Sequence, residues 1–113
     1  MPTVFEVLKE VAKSKTLITY KDLAYQLNMS TNFIPWTEHP LCDIFDQLDQ
    51  EDARQSRPMI TSLAVNSKKT GPGGGYFRAL ERYKGIKSLN SESKLLNWAN
   101  EVKAVYEYDW SNT

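Results

Sequence analysis

One cysteine and one histidine, Cys42 and His39, are all that the 113 residues offer of those two types, and the formal net charge is zero. A lone cysteine forms no internal disulfide and excludes a cysteine-based zinc site. Unpaired Cys42 fits a reducing, cytoplasmic setting. One histidine without a strained nucleophile turn gives no Ser–His–Asp arrangement. Pro40 and the start of a helix separate His39 from Cys42, which works against a Cys–His nucleophile pair. Cys42 therefore reads as a small buried apolar residue, and His39 as part of a loop or helix N-cap. Acid pairs such as Asp43 and Asp46 suit a hard cation in type, but no Asp/Glu/His set has the pattern of a metal site. No apolar run approaches the roughly 18 residues of a membrane span. The stretch Met1–Glu6 lacks a basic segment followed by an apolar one, so no secretory signal is read there. The expectation is a non-catalytic protein with no cofactor, no metal and no membrane partner.

What is present is ordinary in bulk and uneven in detail. The length fits a single domain over 1–113, and 41% apolar with 25% charged residues is a usual globular composition. The charges are segregated along the chain. Residues 1–40 balance. Residues 41–55 set Asp43, Asp46, Asp49, Glu51 and Asp52 against Arg54, a balance of −4. Residues 56–87 set seven basic residues against Glu81, a balance of +6, and residues 88–113 carry −2.

Local signals place the elements. Thr3-x-x-Glu6 is a capping box, and Val4, Phe5, Leu8, Val11 and Ala12 follow at helical spacing to about Ser14. Leu17-Ile18 is long enough for a bridging strand only. Thr19-x-x-Asp22 opens a second helix with Tyr20, Leu23, Ala24 and Leu27 on one face, ending near Asn28. Residues 29–40 read as a loop, with Phe33 and Trp36 pinning it to the core. Leu41, Ile44, Phe45 and Leu48 at i, i+3, i+4, i+7 predict an amphipathic helix over 41–54. Met59–Val65 reads as a strand, 66–75 as irregular, and Phe77, Leu80 and Tyr83 as a helix from about Tyr76 to a C-cap at Gly85. A last helix over about Glu92–Tyr108, capped by Asn90 or Ser91, buries a stripe of Leu95, Trp98, Ala99, Val102, Val105 and Tyr106.

Helix, short strand, two helices, strand and glycine-rich turn is the order of a winged helix. The fold expected is α+β, winged-helix-like, with an added C-terminal helix. Within it, Ile18-Thr19-Tyr20-Lys21-Asp22-Leu23-Ala24 resembles the start of the DNA-binding domain of alkyltransferase-like proteins. The Pro-Cys-His-Arg active-site stretch of true alkyltransferases is absent, and Arg57-Pro58-Met59-Ile60 stands in its place, so the resemblance implies no alkyl transfer. A wider stretch is similar to a set of small uncharacterised bacterial proteins. It comprises Arg57–Asn66, Gly71-Pro72-Gly73-Gly74-Gly75-Tyr76-Phe77, and Trp98 with Glu101 and Val105-Tyr106. That likeness implies a bacterial or phage origin and one compact domain, and brings no function with it.

Two constellations carry the functional reading. Gly71, Gly73, Gly74 and Gly75 allow close backbone approach, and a helix starting behind them aims free N–H groups at the same place. Lys68, Lys69, Arg78, Arg82 and Lys84 add positive charge, with Tyr76, Phe77 and Tyr83 interleaved. Neither Gly-x-x-x-x-Gly-Lys-Ser/Thr nor Gly-x-Gly-x-x-Gly is present, so this is no nucleotide-hydrolysing loop or dinucleotide fingerprint. The pattern suits a nucleic-acid phosphate backbone; a turn shaped by glycine geometry alone fits it too. The alternative partner is a basic protein such as a toxin or nuclease. An immunity-protein or antitoxin type of inhibitor would meet it with Asp43, Asp46, Asp49 and Glu51 on the helix at 41–54. A plain solvated helix face also accounts for those acids.

Overall fold

A computed structural model describes residues 2–113. Helix α1 (Val4–Lys13) begins at the expected capping box: the Glu6 N–H donates to the Thr3 hydroxyl at 3.1 Å, and the Thr3 N–H donates to the Glu6 carboxylate at 3.2 Å. Strand β1 (Ile18–Thr19) runs directly into α2 (Tyr20–Gln26), where the Thr19 hydroxyl accepts from the Asp22 N–H. The loop that follows holds a 3-10 turn, Trp36–Glu38, and Phe33 and Trp36 pack it against the core as expected.

Buried His39 is the N-cap of α3 (Pro40–Arg54). Its Nδ1 accepts from the Leu41 N–H at 3.1 Å, so its Nε2 carries the proton donated to the Ser30 carbonyl at 2.7 Å. Leu41 is fully buried, while Ile44, Phe45 and Leu48 pack half-buried on the same core.

The stretch read as a strand departs from expectation. Ile60–Leu63 is a 3-10 turn, and only Ala64–Val65 forms strand β2. β2 pairs with β1 in parallel, Ile18 opposite Ala64 and Thr19 opposite Val65. The physical reason lies in the neighbouring acids. Buried backbone N–H groups must be satisfied, in a sheet or otherwise. Here the Met59 N–H donates to the Glu101 carboxylate at 2.9 Å, and the Ile60 N–H to Asp52 at 3.0 Å. Side chains from α3 and from the C-terminal helix do the work of a neighbouring strand, so the segment coils into a turn.

The glycine turn leads from β2 into α4 (Gly74–Lys84), two residues ahead of the expected start, and Gly85 caps the helix with φ 68°. Helix α5 (Ser91–Glu107) is capped by Asn90, whose side chain accepts from the Ser93 N–H at 2.9 Å. Leu95 and Ala99 of the expected buried stripe are exposed, and Trp98 and Val102 pack against different clusters. Val102 joins the main core of α1, β1, α2 and α3; Trp98 joins a smaller cluster around Met59, Tyr76 and Leu80. Helix α5 straddles both clusters, so no single apolar stripe describes it. Among the described residues the architecture is α+β: five α-helices around a two-stranded parallel sheet. No described helix is long and apolar enough to cross a membrane.

Candidate nucleic-acid interface

A cavity of about 550 Å³ opens where α2, the Phe33–Thr37 loop, α3 and the start of α4 meet. Five aromatic side chains line it: Tyr20, Phe33, Trp36, Phe45 and Tyr76. Tyr20 lies 5.9 Å from Trp36 and 6.0 Å from Phe45, centroid to centroid, and Trp36 lies 6.1 Å from Phe45. The lining is mostly apolar, and this size and character are those of a small-molecule or base-sized site.

At one end stand Gly73, Gly74, Gly75 and Arg78. The Gly73 N–H donates to the Tyr20 hydroxyl at 2.8 Å, which fixes the turn to the aromatic wall. Gly73 is the N-cap of α4 and has no side chain to bond the first turn. The Gly74 and Gly75 N–H groups have no acceptor among the described residues. These donors, the positive end of α4 and the Arg78 guanidinium converge on one rim. Of this turn only Gly71, at φ 151°, needs glycine's conformational freedom. A Cβ on Gly74 or Gly75 would meet only Arg78 nitrogens, at 3.5 and 3.6 Å, which is ordinary contact.

The buried part of the lining holds Asp49, Thr61 and Tyr76. Asp49 is 4% exposed and accepts from the Thr61 hydroxyl at 2.5 Å through Oδ1. Its Oδ2 makes no hydrogen bond among the described residues and is open to solvent, since no buried side-chain oxygen there lacks a partner. Burial pushes its carboxyl up to about 7, against the Thr61 hydrogen bond, with Asp52 and Asp46 adding to the rise. Tyr76 shares a 2.6 Å hydrogen bond with Ser62, and burial raises its phenol as well. Cys42 borders the cavity half-exposed instead of buried; desolvation and then Asp43 and Asp46 raise its thiol, the direction opposite to an activated nucleophile.

The other basic residues divide. Lys68 and Lys69 are exposed on the turn after β2, outside the cavity lining. Arg82 is exposed along α4, with its guanidinium 6.0 Å from the Tyr83 ring centroid. Lys84 is withdrawn from any backbone-binding set. Its Nζ donates to the Arg57 carbonyl at 2.7 Å and lies 3.6 Å from the Glu101 carboxylate, because it helps hold the buried 57–62 segment.

The acidic face expected on α3 is largely dismantled. Asp43 is exposed. Asp46 accepts from the Tyr83 hydroxyl at 2.6 Å and from Gln50 at 2.8 Å. Asp49 is buried at the cavity, and Glu51 pairs with Arg54 at 2.6 Å. Asp52 is fully buried against Arg57, Nε to Oδ1 at 3.0 Å. Asp49 and Asp52 serve the interior, Asp46 bonds Tyr83 and Gln50, and Glu51 pairs on the surface with Arg54, which leaves Asp43 as the one of the four expected acids with no described partner.

Gly73–Gly75 and Arg78, singled out in the sequence, line this cavity; the gathering of the aromatic rings and Asp49 beside them was not legible there. Two large rings in a polar loop, Phe33 and Trp36, were the available signal. Among the described residues no three His, Cys, Asp or Glu side chains are placed to hold a metal ion. No family model matches the chain, and neither a curated protein nor a solved structure shows significant similarity to it.

Proposed function

We propose that the protein is a non-catalytic binder of single-stranded nucleic acid. The phosphate sits at the α4 N-terminus and Arg78, and an unstacked base enters the aromatic cavity. The observation that carries this reading is the joining of the two in one site: uncapped backbone donors and a guanidinium at the rim, and rings within about 6 Å of each other behind it. Phosphate contacts give affinity, and aromatic faces accept bases by stacking. Lys68 and Lys69 flank this rim in sequence and extend the positive field along the strand.

Two adjacent glycines in the first turn of α4 support the same view. Glycine costs a helix roughly 0.5–1 kcal/mol relative to alanine. Neither Gly74 nor Gly75 has a positive φ or a crowded Cβ position that would require it. Close approach of a ligand to their N–H groups supplies the missing reason. The winged-helix relationship is part of this proposal. It rests on element order; the turn then acts from a helix N-terminus, where a winged helix would use a hairpin.

The test is fluorescence anisotropy with short unstructured single strands at falling salt. Affinity rises steeply as salt is lowered, and Arg78→Ala lowers it about tenfold, the scale of one charge-assisted contact. Absence of binding at low salt, or binding indifferent to Arg78, rejects the proposal.

A further inference from the structure

The cavity lining holds two kinds of polar group. Its exposed rim is built for an anion, and its buried part presents a carboxylate. Asp49 comes from the third turn of α3, more than nine-tenths buried. Thr61 occupies one lone pair of Oδ1, and Oδ2 accepts no hydrogen bond among the described residues and is open to solvent. The only other charged side chain of the lining besides Arg78 is Asp46, whose oxygens are taken by Tyr83 and Gln50. An ionised carboxylate accepts hydrogen bonds and donates none. Above about pH 7, where Asp49 is ionised, whatever enters between the rings must bring N–H groups to it, and a carbonyl oxygen at that place would be repelled.

The bases differ in what they offer. Adenine and cytosine each place one amino group beside a ring-nitrogen acceptor. Uracil and thymine flank their single N–H with two carbonyls. Guanine alone carries two adjacent donors, N1–H and the N2 amino group, which match the two oxygens of a carboxylate.

Resting on the nucleic-acid reading above, we propose that the cavity is selective for guanine. Its N1–H and N2 amino group bond Asp49, its ring lies among Tyr20, Trp36 and Phe45, and its phosphate sits on the Gly74 and Gly75 N–H groups and Arg78. The same chemistry is met in a strand or in free guanosine monophosphate.

Calorimetry with the intact protein at pH 8, where Asp49 is ionised, separates these. The probes are thymidine pentanucleotides whose central base is guanine, hypoxanthine, adenine or cytosine, together with guanosine monophosphate. The guanine strand binds about tenfold or more tighter than the others, the usual worth of a bidentate base contact. Hypoxanthine, which lacks only the N2 amino group, falls between guanine and adenine. In Asp49→Asn the guanine preference collapses while Arg78-dependent, salt-sensitive binding persists. The hypoxanthine comparison uses the unaltered chain, so it stands even if that variant fails to fold. Equal, Arg78-dependent affinity for all four strands overturns the guanine assignment and leaves the single-strand reading intact. Guanosine monophosphate binding as tightly as the strand supports the guanine site and overturns the single-strand reading. No binding of any probe overturns both.

Discussion

Asp49 is held where a carboxylate is hardest to keep charged. Burial lifts it from an ordinary 3.8 to about 7. Asp46 and Asp52 on its own helix push the same way, while the Thr61 hydroxyl and Lys84 from α4 oppose. Tyr20 and Tyr76 face the same cavity. Because the folded state binds this proton more tightly than the unfolded one, the associated stability is fully present below about pH 4. It is lost as pH rises through 7. Asp49→Asn keeps an acceptor for Thr61 and removes the charge. It should make the protein about 2 kcal/mol more stable at pH 8, since each tenfold change in proton affinity between the folded and unfolded chain is worth about 1.4 kcal/mol before relaxation. Thermal melts from pH 4 to pH 8 check this: the decline across that range becomes shallower in the variant. Some slope survives, because burial also raises Asp52. Asp52 itself needs Arg57. Removing the guanidinium leaves a buried carboxylate whose remaining partner is the Ile60 N–H, and uncovers the Phe5 and Trp110 rings. Arg57→Ala should cost about 3–5 kcal/mol in urea unfolding.

At the scale of elements, the helices were legible because their signals are local. Thr3 with Glu6, Asn90 and Gly85 fix helix ends by bonds within a few residues. Met59–Val65 was not legible as a 3-10 turn because its backbone donors are satisfied by Asp52 and Glu101, 8 and 42 residues away. The same bonds hid the nature of the acids on α3: spacing counts charges but does not say which face a folded neighbour will cover. Half of the candidate site follows the same division. Gly73–Gly75 and Arg78 stand together in sequence. Tyr20, Trp36, Phe45 and Asp49 come from three separate stretches and meet only in the folded chain. Helix α4 carries a prediction of its own. Gly75→Ala replaces a poor helix former with the best one at a position with room for a methyl group. It should stabilise the fold by roughly 0.5–1 kcal/mol and, by shielding the N–H, weaken strand binding several-fold. Melting and anisotropy on one variant would then move in opposite directions. A gain in both would mean that these glycines serve no ligand.

For the whole molecule, zero net charge makes the arrangement of charges decisive. Lys68, Lys69, Arg78, Arg82 and Lys87 are exposed along the turn and α4, while most of the acids that neutralise them in sequence point inward or pair locally. The surface that meets solvent near the turn is therefore more basic than composition implies. Bound phosphates release counterions, so the logarithm of affinity should fall with the logarithm of salt by about 0.7 per phosphate contacted on a single strand. Lys68→Ala with Lys69→Ala removes two exposed cations that lie outside the cavity. That double variant should lower the salt slope by about 1.4 and leave the preference among bases unchanged. Arg78→Ala should lower both slope and affinity for every strand, because its guanidinium meets the phosphate at the cavity rim, and leave the preference set by Asp49 in place. Asp43→Lys tests the opposite sign. Asp43 is exposed on α3, one turn before the cavity-lining Asp46, so reversing it removes repulsion without opening the core. Strand binding should then strengthen at low salt and converge with the unaltered chain at high salt, where the Debye length shrinks to about 3 Å at 1 M. A protein that used this helix to grip a basic partner would instead lose association rate on the same change. The direction of one substitution, read at two salt concentrations, decides which sign of partner the molecule is built to meet.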